Sequence, residues 1–459
     1  MNVIVILADS LRVDHLGCYG NKWIKTPNLD RFAQEATLFE RAYSEGLPTL
    51  PTRTAMFTGR YTFPFRGWQP LQPNDLTIAE ILWSQGYKSA LITDVYHMHK
   101  PGMAYERGFD FVQFIRGQEG DPVVPMKKKF KGLPKGYKGN GKDTAVRDQM
   151  RQYELNTAHW RSDEDHFVAQ VVKAGIRYLE SQTERNNIFL WLDCFDPHEP
   201  WDPPAPFNTM YDPGFKGPII TQPIPGPVEG YLTPAEVRNI QAQYAGEVSL
   251  VDKWIGIFLD RVRELGMFDD TLIIFTTDHG EPLGDEKWGH GIIRKARPWP
   301  YEELSHIPLM IRHPRGHGQG KRLKGFAQTC DVAPTVLGFL GIPVPPVMQG
   351  KSLMPMVTGA APKMRDFAVS GFYLRSWSIR TDTHSYILWL PKTPQVQKAM
   401  PGTLGAISCT LVGTLETPQK PELYDIRKDP YELKNLVDKE PEIADELELK
   451  LRRFVAMLR

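Results

Sequence analysis

Four residues have the chemistry to hold and use one divalent cation. Asp9 follows an apolar run, Val3–Ala8, and Asp278 with His279 follows another, Thr271–Thr277. Thr49 opens a segment of helical periodicity, at the end where free backbone N–H groups favour anions. Two carboxylates, an imidazole and an activated hydroxyl suit Mn²⁺ or Zn²⁺ better than an ion bound by oxygen alone, with Ca²⁺ left open. Threonine's hydroxyl is a weak nucleophile until a metal lowers its pKa. As an alkoxide it attacks phosphorus, and water then opens the covalent phosphoenzyme. A single Asp at a strand end more often caps the next helix; agreement between several motifs carries the reading.

Such residues need a frame that brings distant segments together, and the patterning supplies one. Val3–Ala8, Lys88–Thr93, Ile188–Cys194 and Thr271–Thr277 are apolar runs of strand length. Between them lie helical patterns. One starts at Pro27 with Thr26 as cap, and one is capped by Thr77 and ends at Gly86. Another starts at Ser162 with Asp163, Glu164 and Asp165 in its first turn, and the longest runs from Thr233-Pro234 to Gly266. The alternation predicts an α/β fold: a large, mostly parallel sheet between helices, with ligands gathering beyond the carboxyl ends of its strands. Composition shifts near Pro343–Pro346 and again near residue 370, so a catalytic unit is expected over 1–365 and a smaller C-terminal α+β unit over 366–459. Residues 125–143 are rich in Lys, Gly and Pro (Lys127, Lys128, Lys129, Lys131, Lys135, Lys138, Lys142) and read as an inserted loop. Such a run is ordinarily solvated; the sharper alternative is a basic rim for anions or for a second subunit. Pro197–Pro227 reads as a long surface connection.

The whole chain narrows the classes. With 459 residues, 41% of them hydrophobic, it can bury a large core, and a net charge of +1 gives no general reason to bind nucleic acid or a membrane. Cys18, Cys194, Cys330 and Cys409 show no metal-ligand spacing and no disulfide framework, which suits the cytoplasm. Val3–Ala8 lacks a basic segment before it and a cleavage site after it, and so reads as a strand rather than a signal peptide. No apolar run approaches the length of a membrane helix.

Five motifs, in order along the chain, resemble the sulfatase branch of the alkaline phosphatase superfamily. They are Asn2–Arg12, Thr49-Leu50-Pro51-Thr52-Arg53 leading to Thr58–Tyr61, Asp193–Pro200 (DCFDPHEP), Thr276–Gly284 (TTDHGEPLG) and Glu422–Leu436. The resemblance implies a central mixed sheet, a C-terminal subdomain with a small antiparallel sheet, and a nucleophile at a helix N-terminus. It implies metal ligation by Asp9, Thr49, Asp278 and His279, an Arg53 that orients the nucleophile, and a His198 that contacts or protonates the leaving oxygen. His290, in Trp288-Gly289-His290, stands where relatives carry an anion-binding lysine. Thr93, Asp94, His97, Arg116 and Arg66 fall in loops that would shape the pocket, as do Trp68, His99, Gln118 and Glu119. The terminal segment 440–459 would form an amphipathic helix, a candidate for self-association by analogy.

Three departures move the reading from sulfur toward phosphorus. Asp9-Ser10 stands for the paired aspartates of many sulfatases, and Thr93-Asp94 for a sulfate-binding lysine segment; both resemble phosphonate monoester hydrolases. Thr49 stands where sulfatases carry the Cys or Ser that becomes formylglycine, and threonine cannot follow that route, so no formylglycine is expected. The leading expectation is a hydrolase of small anionic phosphate esters, diesters or phosphonate monoesters first, through a phosphothreonine. The alternatives are a sulfatase using unmodified threonine and a silent anion- or metal-binding protein on the same scaffold.

Overall fold

The computed structural model describes residues 1–125, 133–139, 144–285, 287, 289–295, 298–391 and 420–458. The large sheet contains β1 (Asn2–Ala8), β2 (Thr37–Tyr43), β4 (Lys88–Thr93), β5 (Phe111–Phe114), β6 (Ile188–Cys194), β8 (Thr271–Thr276), β10 (His306–Arg312), β11 (Arg322–Leu323) and β12 (Ala327–Gln328). Their order is β11-β2-β10-β8-β1-β6-β4-β5, with β12 also paired to β2, while β7 (Gly226–Pro227) and β9 (Ile292–Ile293) pair with each other. β8, β1, β6, β4 and β5 are mutually parallel, and β10 runs antiparallel to β8 and β2.

The central strands are apolar on both faces because both faces are covered. Ile4 and Ile6 pack with Leu192 and Phe275 under the helices Phe167–Ser181 and Pro234–Glu264. Val3, Val5 and Leu7 point the other way, against Trp191, Ile274 and the helices Leu50–Thr58, Ile78–Ser84 and Val332–Leu340. The period of two in β1 is therefore split between two cores. Thr77 and Thr233 each close a capping box, with Glu80 and Glu236 respectively.

Local expectations are corrected at three places. Thr26 precedes the helix Pro27–Glu35 but makes no capping bond, because its hydroxyl accepts from Gly17 N and faces Asp30. Ser162 starts a single 3₁₀ turn, Asp163–Asp165, not the long helix. The Asp165 carboxylate folds back onto the N–H groups of Arg161 and Ser162, and the helix begins at Phe167 after an extended His166. The connection 197–227 is not wholly superficial, since Trp201 and Gln222 within it are fully buried. Of the Lys-rich loop, residues 126–132 and 140–143 lie outside the described residues, Lys127, Lys128, Lys129, Lys131 and Lys142 among them. Lys138 pairs with Glu236 at 2.6 Å.

The second sheet has the order β16-β15-β14-β13-β3. Here β13 (Ala368–Phe372), β14 (Ser376–Arg380), β15 (His384–Trp389) and β16 (Glu422–Asp425) are antiparallel neighbours. Its last member, β3 (Gly46–Leu47), comes from far upstream and lies parallel to β13. The C-terminal sheet thus grips the strand that leads into Thr49. The helix Pro441–Met457 has the expected apolar stripe, Ala444, Leu447, Leu451 and Val455, but buries it within the chain against Tyr61, Val369 and Tyr386. Among the described residues no helix is long and apolar enough to cross a membrane.

Candidate active site

Parallel register sets Leu7 beside both Asp193 and Thr276, and Thr93 beside Asp193. The carboxyl ends of β1, β4, β6 and β8 therefore finish level, and Asp9, Asp94, Asp193 and Asp278 all stand at that edge. Position, not side-chain reach, brings them together.

Asp9, Asp278 and His279 present ligand atoms within 4.8 Å of one another, all three fully buried. Asp278 is aimed by Ser10 N (3.1 Å) and His279 N (2.8 Å), which both donate to Oδ1. His279 Nδ1–H donates to the Gly280 carbonyl at 2.7 Å, which leaves the Nε2 lone pair facing inward, as a metal ligand requires. Ser10 Oγ donates to Asp9 Oδ1 at 2.7 Å, while Asp9 Oδ2 is buried without a hydrogen-bond donor. Burial and the neighbouring Asp278 push Asp9 well above the usual carboxylate range. Burial acts on Asp278 in the same sense, but His279 and Arg53 outweigh it and hold Asp278 down. A buried carboxylate oxygen without a hydrogen-bond donor, a second carboxylate and an imidazole lone pair, all turned to one point, form a donor set that fits a divalent cation.

Arg53 organises the acids around it. Its Nε and Nη2 form a fork on Asp193 (2.9 and 2.6 Å), and Nη1 reaches Asp278 Oδ2 at 2.6 Å and lies 3.0 Å from Asp9 Oδ2. Lysine has no such fork, so the guanidinium is specific here.

Thr49 is the N-cap of the helix Leu50–Thr58 and has φ 44° and ψ −84°. A β-branched residue is an outlier at positive φ, with strain of about 1–3 kcal/mol that its surroundings must over-determine. They do so from both sides. Arg53 N donates to Thr49 O at 3.1 Å, Thr52 Oγ1 donates to Gly46 O, and Gly46 is paired to Gly371 of the C-terminal sheet. The hydroxyl, 3% exposed as a residue, donates to His279 Nε2 at 3.3 Å. The structure thus unites Asp9, Thr49, Arg53, Asp278 and His279.

His198 stacks on Phe195 with ring centroids 4.1 Å apart and donates Nδ1–H to the Glu199 carbonyl at 2.8 Å. Burial pushes it down to about 4, so the ring is neutral near pH 7 with its lone pair on Nε2. With Nδ1–H given to that carbonyl, Nε2 is the ring's remaining hydrogen-bond acceptor. A charged donor missed in the sequence stands nearby. Lys295 Nζ is paired with Glu281, lies 3.4 Å from Ser10 Oγ and 3.7 Å from Glu199 Oε2, and is held protonated by those acids against the cost of burial. Arg294, at φ 58°, grips the other oxygen of Glu199. Lys295 sits in an aperiodic stretch beyond the Asp278–Glu281 turn, where no spacing rule marks it.

Comparison with known proteins gives the family. The profile described as Sulfatase matches residues 1–342. The chain belongs to the sulfatase family. It is 26% identical to an arylsulfatase of Clostridium perfringens over 478 residues, covering 96% of this chain and 90% of that one. It is also 26% identical to a multifunctional alkaline phosphatase superfamily protein of Trinickia caryophylli, covering 79% and 78% of the two chains. The structure of the phosphonate monoester hydrolase of Agrobacterium radiobacter superposes with a TM-score of 0.74 at 22% identity, over 100% of this chain and 96% of that one. Sulfatase-family hydrolases with this fold thus include proteins named for sulfur and for phosphorus.

For a sulfatase-family site, the remaining candidates fall into place unevenly. His290 is placed away from the anion-binding role: it stacks on Tyr301 at 3.6 Å, and its two nitrogens face Glu303 (3.5 Å) and the Glu432 carbonyl (2.9 Å). Both ring nitrogens have protein partners. Thr93 and Asp94 serve the backbone, with Thr93 Oγ1 accepting from Val95 N and Asp94 Oδ1 from Phe195 N. Arg66 is tied to Asp75 and Arg116 to Asp121, each at 2.6 Å. His97 pairs with the buried Glu119 at 2.6 Å and meets Trp68 edge to face. His97 and His198 pull Glu119 down to about 2 although burial opposes them. His99 stacks on Phe114 at 3.8 Å, and Gln118 bridges Asp94 and Asp196.

Proposed function

We propose that the chain is a metal-dependent hydrolase of small phosphate esters, phosphodiesters or phosphonate monoesters first, through a covalent phosphothreonine on Thr49. The observation that carries this reading is the identity and placement of residue 49. A strained, buried threonine hydroxyl points at the carboxylate and imidazole cluster from a helix N-terminus, and threonine cannot become formylglycine. When bound by Asp9, Asp278, His279 and Thr49, a divalent ion such as Mn²⁺ or Zn²⁺ would lower the pKa of the hydroxyl and offset charge on the transferring group.

The residues divide the work. Thr49 Oγ gives up its proton to solvent and forms the new bond to phosphorus as the bond to the leaving oxygen breaks. Arg53 fixes the acids around the nucleophile, and the helix N-terminus favours the anion. Lys295 hydrogen-bonds the departing oxygen, which takes its proton from solvent. Water then opens the phosphothreonine, with His198 Nε2 taking its proton, and Thr49 regains its hydroxyl. Diester preference follows from charge: Arg53 and Lys295 are already paired with acids, so a dianion gains little over a monoanion. Cys194 and Cys330, free and buried, support a reducing compartment such as the cytoplasm.

The arylsulfatase relative favours a second reading, a sulfatase working from unmodified threonine. Turnover of bis-p-nitrophenyl phosphate, a phenylphosphonate monoester, p-nitrophenyl phosphate and p-nitrophenyl sulfate by Mn²⁺- or Zn²⁺-loaded protein separates the two. Diester or phosphonate turnover that Thr49→Ala abolishes is the expected result. Turnover of the sulfate alone would establish the second reading, and silence on every ester the binding-protein alternative.

A further inference from the structure

We propose that Glu199 is a positioning residue that sets both polar groups on the leaving-group side of the site, His198 and Lys295. The inference rests on the hydrolase reading and assigns a role that the motif residues alone do not. Glu199 is 1% exposed. Its backbone carbonyl accepts His198 Nδ1–H at 2.8 Å and so fixes the tautomer that leaves Nε2 bare. One carboxylate oxygen takes Arg294 Nε at 2.5 Å, while Arg294 Nη1 donates to Pro223 O at 3.0 Å. The other, Oε2, lies 3.4 Å from His198 Nδ1 and 3.7 Å from Lys295 Nζ and has no hydrogen-bond partner. Lys295 is held from its far side by Glu281, which is fully buried and has one oxygen, Oε1, likewise without a partner.

The order Arg294, Glu199, Lys295, Glu281 alternates in sign and is almost wholly enclosed. It joins the His198 loop to the turn after the metal ligands and to the bend that follows Ile292–Ile293, which is itself bridged to that turn at Leu283. A buried carboxylate with an unused oxygen is costly unless its charge is needed. Here Glu199 adds a second negative charge 3.7 Å from an ammonium whose hydrogen bond goes to Glu281, and Nζ stands 3.4 Å from Ser10 Oγ, at the edge where an anion would enter. Arg294 anchors Glu199, and the loop carbonyl follows.

Two physical roles for Glu199 give opposite signs, so a binding measurement decides. If the carboxylate acted only through its charge, Glu199→Gln would make the site more positive and tighten an inorganic anion. If it positions Lys295, the same change frees the ammonium and weakens that anion. Isothermal titration of Mn²⁺-loaded protein with inorganic phosphate is the test, with inorganic sulfate in parallel and melting temperatures as a check on folding. We expect Glu199→Gln to weaken phosphate roughly tenfold, Glu199→Asp to fall between the two, and Lys295→Met to add little further loss on top of Glu199→Gln. Equal or tighter binding by folded Glu199→Gln overturns the positioning role and leaves the hydrolase reading standing. A Glu199→Gln protein that does not fold passes the decision to Glu199→Asp, where weakening supports the role and unchanged binding overturns it. Wild-type protein that binds neither anion overturns both.

Discussion

Two groups of carboxyls meet at the same edge of the sheet, and they are stabilised in opposite ways. Around Arg53 stand Asp9, Asp193 and Asp278, all fully buried, with a guanidinium spread across them and an imidazole beside them. Behind the His198 loop stand Asp94, Asp196 and Glu247, buried, with Asp202 half-buried beside them. The donors facing that second group are neutral: Phe195 N, Gln118 Nε2, Val168 N and the Tyr153 hydroxyl. Burial pushes Asp196 up to about 6 and raises Asp94 and Glu247 well above the usual range, with mutual repulsion adding to it. In the first group Asp278 keeps its negative charge beside His279 and Arg53 while Asp9 is still raised; in the second every acid named is raised. Equal burial thus gives unlike chemistry, decided by the balance of cations and like charges around each acid.

The largest effect that would break this contrast is removal of Arg53. Arg53→Met leaves three buried carboxylates facing one another, and a loss of about 3–5 kcal/mol is expected in urea unfolding of the metal-free protein. Arg53→Lys should recover only part of it, because one ammonium cannot fork onto Asp193 while reaching Asp278. If Arg53→Met is as stable as wild type, the acids around it are not held by its charge.

Metal comes next. At a free concentration one hundred times its Kd, a cation that binds only the folded protein adds about 2.7 kcal/mol, so chelation should lower the melting temperature and Mn²⁺ or Zn²⁺ restore it. Asp9→Asn should behave in the opposite way. It relieves the repulsion between Asp9 and Asp278, raising the melting temperature without metal and removing the response to added metal. An Asp9→Asn protein still stabilised by Mn²⁺ to the wild-type extent would exclude Asp9 as a ligand.

The smallest effect belongs to the second group. An acid whose folded pKa is raised contributes stability that is fully present below its unfolded value, about 4, and is lost as pH rises through the folded value. With Asp196 at about 6 and Glu247 well above the usual range, folding stability should fall as pH climbs from about 4 through 6. Glu247→Gln mimics the protonated acid and should flatten that fall by at most about 1.4 kcal/mol per pH unit. An unchanged slope in pH-dependent denaturant titrations would show that Glu247 does not hold a proton.

How much of this was legible in the sequence follows the same divide. Asp9, Asp278 and His279 end apolar runs, so a parallel sheet had to bring them together, and Thr49 and Arg53 lie one helical turn apart. The strands Lys88–Thr93 and Ile188–Cys194 were readable to the residue because both sheet faces are covered. Lys295 was not readable, because it reaches the site from an irregular stretch whose path is set by Glu199 and Glu281 rather than by any period. His290 drew the reading instead, since its motif looked right, yet Tyr301 and the Glu432 carbonyl claim its ring. β3, two residues long, carries no pattern of its own, and its pairing to β13 exists only in three dimensions.

The most direct test of the account is to quench Mn²⁺-loaded protein during turnover of a phosphonate monoester or phosphodiester and map the modified peptide by mass spectrometry and ³¹P NMR. The account predicts a phosphorus ester on Thr49 that forms and decays with turnover and is absent from Thr49→Ala. Product release by the wild type without label on Thr49, or a Thr49→Ala protein as active as wild type, would contradict it.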